Sequence, residues 1–179
     1  MTPSPNVARR AQLFEVWIRP VVPANGPMAL KIALHELDRL VRKGLSEADF
    51  QRTRDYLMKN VYLLTSTQGD DLGTALDSRW YGVGDWVPYL RERLAKLTRG
   101  DVNQAIRKHL SAETLSVVVV TKDAEGLKKQ LLSSEPTTIA YDSPKPPEVL
   151  AEDKVIGERK LGLTPERVRI TPVAEVFAR

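Results

Sequence analysis

His35 and His109 are the only two imidazoles in the chain, and there is no cysteine. A zinc ion that activates water needs about three protein ligands and an open coordination position. Neither His-x-x-Glu-His nor His-Glu-x-x-His occurs. His35-Glu36 opens the forward motif, but Arg39 stands where the second histidine belongs, and a guanidinium there repels a metal cation. His35 therefore reads as a partly exposed helix residue. His109, beside Lys108 near a helix end, reads as a favourable contact with the helix dipole. Serines and threonines have no nucleophile-elbow context, and no strand leads into a phosphate-binding glycine loop. Adjacent Asp70 and Asp71 point different ways on a helix and suit its positive end. No catalytic or metal-ligating residue is assigned, and the chain alone is expected to be inactive.

Recognition chemistry is better represented. Arg79-Trp80-Tyr81 gathers residue types favoured at binding surfaces. The competing reading is a helix end anchored in the core by Trp80. In Leu13–Val21, alternation puts Phe14, Val16 and Ile18 on one face and Glu15, Trp17 and Arg19 on the other. The first face is expected to meet the core. The second either looks into a substrate space or packs under another segment. Glu15, Trp17, Arg19, Arg79 and Tyr81 are thus the candidate substrate-facing residues.

The elements that would hold them alternate early strand, helices, late strand. Residues 13–21 read as a strand ended by Pro20. A helix over 28–43 carries a stripe of Leu30, Ala33, Leu34, Leu37, Leu40 and Val41, closed by Gly44. Ser46 caps the next helix, to about Leu64, with Phe50, Leu57, Val61 and Leu64 buried. A shorter helix buries Leu72, Ala75, Leu76 and Trp80 and ends near Gly82. Asp85 caps a fourth, with Val87, Leu90, Leu94 and Leu97 as its stripe and Pro88 in its first turn. A capping signal at Thr98–Asp101 opens a fifth. Thr114–Thr121 includes four consecutive valines and reads as a strand buried on both faces. Asp123 caps a helix to Leu132. Residues 136–179 hold six of the twelve prolines and read as an extended arm with seven basic and seven acidic residues. The expected fold is α+β: helices on one face of a small, mostly antiparallel sheet over residues 7–135, then the arm over 136–179.

Two strands make a poor sheet, since a pair is marginal even under helices. Either the missing partners come from outside this sequence, or the arm supplies them through Thr137–Tyr141 and Arg167–Phe177. An unpaired sheet edge would also allow a homo-oligomer.

The order of elements and several phrases resemble the C-terminal half-domain of the insulinase/pitrilysin-type zinc peptidases. The phrases are Phe14–Arg19, Ala29–Leu37, Lys43–Phe50, Leu94–Val102 and Leu115–Thr121, with Ile170–Phe177 similar to the tail of some bacterial members. The resemblance covers residues 7–133, and the half-domain would be N-terminally incomplete. It implies two α+β halves closing around a chamber. The other half carries the inverted zinc motif, and this half binds peptide without metal. The family's substrate-holding Arg and Tyr would lie just before residue 7 and have no match, so neither is carried over. The implied partners are a zinc-bearing catalytic half-domain or subunit and a peptide substrate. A structural or assembly subunit of the same fold is the alternative.

The 179 residues are 42% hydrophobic and 28% charged, an ordinary globular composition. The net charge of +4 comes from 27 basic and 23 acidic residues that are interspersed, without the basic stripe that nucleic-acid binding requires. No apolar run reaches membrane-span length, so neither nucleic acid nor membrane is an expected partner. No targeting segment is visible. The expectation is a soluble chain, periplasmic if its parent is a secreted bacterial peptidase.

Overall fold

The computed structural model describes residues 14–176. Eight α-helices follow in chain order: α1 (Gly26–Lys43), α2 (Glu47–Asn60), α3 (Gln68–Tyr81), α4 (Trp86–Lys96), α5 (Arg99–His109), α6 (Ala124–Leu132), α7 (Pro147–Gly157) and the short α8 (Val173–Val176). Among the described residues no strand forms, so the expected α+β fold is corrected to an all-helical one. The described residues fall into two units. One is Leu40–Leu110; the other combines Glu15–Arg39 with residues from Ser111 onward.

In the Leu40–Leu110 unit, α2, α3 and α4 pack around the 3-10 segment Val61–Thr65. Val61 is 2% exposed at its head, with Phe50, Leu94 and Ile106 also buried. Side-chain caps start three of this unit's helices. Ser46 accepts from the Asp49 amide, Thr67 from the Asp70 amide, and Thr98 with Asp101 forms a reciprocal capping box. Asp85 precedes α4 as expected but makes no side-chain cap bond. Gly44 sits at φ 69°, where an added Cβ would come within 2.7 Å of Asn103. Asn103 uses that closeness: its Oδ1 accepts from the Leu45 amide at 2.8 Å, and its Nδ2 donates to the Leu45 carbonyl at 3.3 Å. Arg91 donates to the Met58 carbonyl at 2.8 Å and lies over the Tyr62 ring, tying α4 to the end of α2.

In the other unit, α1 up to Arg39 packs with α7. Met28, Leu37 and Ile156 are buried. Lys31 is also buried, and its ammonium donates to the Gly157 carbonyl at 2.7 Å. The same carbonyl accepts from the Thr137 amide at 3.0 Å, and an added Cβ on Gly157 would overlap the Thr137 carbonyl oxygen. Arg159 donates to Asp38 at 3.0 Å. Asp123 caps α6 through the Gly126 amide, as its position suggests.

Three further expectations are corrected. Phe14, Val16 and Ile18 do not meet a core: they are 57%, 55% and 46% exposed (Leu13 lies outside the described residues). The valine run forms no strand among the described residues and is open, with Val118 at 89% and Val120 at 87% exposure. Among the described residues neither segment has the hydrogen-bonded neighbour that a strand requires. The region read as an extended arm contains α7, because Pro147 occupies its first position, where a missing N–H costs nothing.

Candidate functional site

α3 is the helix whose buried face differs most from its apolar pattern. Leu72, Leu76 and Trp80 face out at 62%, 45% and 83% exposure, while Gly73, Thr74 and Ser78 are buried. Trp80 is therefore not a core anchor. Small side chains on the inner face let α4 approach, and Gly82, left-handed at φ 66°, ends the helix.

Between the end of α3 and the start of α4 this packing leaves a cavity of about 610 Å³. Ala75, Trp86, Val87 and Pro88 give it an apolar wall; Asp71, Ser78, Arg79 and Asp85 give it polar groups. The Ser78 hydroxyl is buried, lines the cavity, and has no hydrogen-bond partner among the described residues. A buried hydroxyl left in that state costs about 1–3 kcal/mol. The side chains of Asp71, Arg79 and Asp85 likewise make no hydrogen bond or ion pair among the described residues. The cavity thus pairs one cation and a hydroxyl with two carboxylates over an apolar wall that includes the Trp86 ring. Such a mixture of donors and acceptors matches a peptide backbone, which carries both. The two carboxylates repel a phosphate.

Of the candidate substrate-facing residues, Arg79 lines this cavity and Tyr81 is exposed just beyond it at the end of α3. Glu15, Trp17 and Arg19 belong to the other unit and are exposed on chain outside any helix. There the Trp17 indole N–H donates to the Glu15 carboxylate at 2.9 Å. Ser78, Asp71, Asp85 and Trp86 were not marked as site residues by their sequence context. The one available signal was the small-residue face of α3 opposite its large apolar residues.

A second cluster joins α1 to α7. Donor atoms of His35, Glu36 and Glu152 lie within 4.8 Å of one another. The Arg39 guanidinium pairs with Glu36 and lies 4.0 Å from Glu152, which is itself 3.9 Å from the His35 imidazole. The guanidinium already supplies the positive charge these carboxylates attract. A metal ion there would meet it directly, so the donor set does not fit a metal.

No family model matches the chain, and no curated protein or solved structure does either. Among the described residues no helix is long and apolar enough to cross a membrane.

Proposed function

We propose that this chain is the non-catalytic half of a two-part zinc peptidase. It binds peptide substrate and helps close the chamber, while the zinc sits on another domain or subunit. The observation that supports this reading is the α3–α4 cavity, where the Ser78 hydroxyl and Arg79 stand ready to donate and Asp71 and Asp85 to accept. In this reading an extended peptide runs past Arg79 and stacks an apolar side chain against Trp86. Its carbonyls take the Ser78 and Arg79 hydrogens. Glu15, Trp17 and Arg19 offer a second peptide contact. Hydrolysis belongs to the partner's zinc, and this chain supplies binding and orientation.

A second reading, an assembly subunit without substrate, is favoured by one observation: the open apolar run Leu115–Val120. Fluorescence anisotropy with labelled oxidised insulin B chain separates the two. The substrate-binding reading expects saturable binding to the full chain, no cleavage with added zinc, and at least about five-fold weaker binding by R79A, a loss of roughly 1 kcal/mol. No binding up to millimolar chain, or chelator-sensitive cleavage by the chain alone, overturns it.

A further inference from the structure

Thr114–Thr121 is a run of backbone left almost wholly without hydrogen-bond partners among the described residues. Its residues lie outside any helix, the exposure of Val117 to Val120 alternates as it does along a strand, and none of 114–120 makes a backbone hydrogen bond among the described residues. Val117 and Val119 are each 52% exposed, and Val118 and Val120 more so. The segment contains no proline, glycine or charge. A β-branched, uncharged, unpaired segment is a template for another extended chain, because only such a chain meets its alternating donors and acceptors.

The flanking charges select the occupant. Glu113 precedes the segment and Lys122 follows it; both are exposed and neither has an ion-pair partner among the described residues. We propose that two copies of this chain associate by antiparallel pairing of Thr114–Thr121. That arrangement brings the Glu113 end of each copy beside the Lys122 end of the other, at both ends of the ladder. Parallel pairing in register would set Glu113 against Glu113 and Lys122 against Lys122, which is unfavourable. The contact is about 26 Å long at roughly 3.3 Å per residue. A two-stranded contact of this length is weak, so association depends on concentration. This inference is independent of the peptide-binding reading, since it uses a segment of the other unit.

Sedimentation velocity of the full chain tests it. The expected mass rises from 20.1 kDa toward twice that value as concentration increases. V118K/V120K, at open positions that leave the helices untouched by circular dichroism, weakens association by about ten-fold or more. E113K and K122E each weaken it, and the double exchange E113K/K122E restores it. Because the chain has no cysteine, single cysteines report the direction of pairing. V117C and V118C chains mixed together form an oxidised heterodimer readily, because this register sets position 117 of one copy opposite position 118 of the other, on one face. E113C does not, because antiparallel pairing holds the two copies of position 113 about 30 Å apart. A monomer at every concentration, a dimer indifferent to V118K/V120K, or ready cross-linking of E113C overturns the proposal.

Discussion

The Lys31 ammonium donates to the Gly157 carbonyl at 2.7 Å, joining α1 to the C-terminal end of α7 across 126 residues. A cation at a helix C-terminus meets the negative end of the dipole and a carbonyl that the helix leaves unpaired. Burial still acts against the charge, and it pushes the Lys31 pKa below its usual 10.5.

The pH dependence follows from that direction. In the unfolded chain Lys31 holds its proton to about its ordinary pKa; in the folded chain it releases it earlier. Between those values the unfolded state binds more protons, so stability rises with pH across the window. Below the window the cost of the buried cation is constant. Urea unfolding as the pH is raised toward the ordinary lysine pKa is expected to show this rise in the wild type and to lose it in K31M. K31A is expected to cost about 1–3 kcal/mol at neutral pH through the lost charged hydrogen bond.

Tyr141 works in the opposite sense. Its phenol donates to Asp153 at 2.8 Å, and that hydrogen bond, with a smaller contribution from burial, raises its pKa above 10.0. The contribution is complete below the unfolded pKa and is lost as pH rises through the folded one. Y141F is expected to cost about 1 kcal/mol at neutral pH and to remove this alkaline loss. Ultraviolet difference titration of the wild type against Y141F should place the Tyr141 ionisation above the ordinary phenol pKa of 10.0.

At the start of α5, T98A removes the bond from the Thr98 hydroxyl to the Asp101 amide and is expected to cost about 1 kcal/mol in thermal unfolding. The Thr98 hydroxyl and amide both donate to the Asp101 carboxylate, and they hold its pKa below the usual range. That contribution is present above the unfolded pKa and fades as pH falls through the folded one. T98A should therefore flatten the acid limb of the stability curve.

S78A is expected to separate stability from binding. Removing a buried hydroxyl that lacks a partner should leave unfolding unchanged or raise stability by up to about 1 kcal/mol. The same change should weaken binding of labelled insulin B chain at the α3–α4 cavity by several-fold. Calorimetry and anisotropy on one preparation check both halves.

Helix starts were legible because capping is a local event. Ser46, Thr98 and Asp123 each bond an amide three residues on, so a short window contains the whole motif. The buried face of α3 was not legible. Periodicity selects large apolar residues, and there the packing chose Gly73, Thr74 and Ser78 so that a neighbouring helix could come close. α7 was hidden by its prolines, which in Pro146-Pro147 begin a helix instead of preventing one. The cavity depends on where α3 and α4 meet, and the His35–Glu152 approach depends on α7 docking to α1. Neither is written in any short stretch of chain. The strand readings at 13–21 and 114–121 fail among the described residues, because β-branched, alternating sequence makes a strand only beside a hydrogen-bonded neighbour, which no short window contains.

The Asn103 carboxamide grips both the amide and the carbonyl of Leu45, residues 58 apart in the chain. A side chain here stands in for an adjacent peptide unit, so the turn after α1 is held by α5 as well as by Gly44, whose amide donates to the Leu40 carbonyl at 2.8 Å. Everything between those two points is enclosed in a loop closed without any covalent crosslink. A protease nick inside that loop would leave two fragments still clasped. A nick at the turn itself would open the clasp and free both ends together.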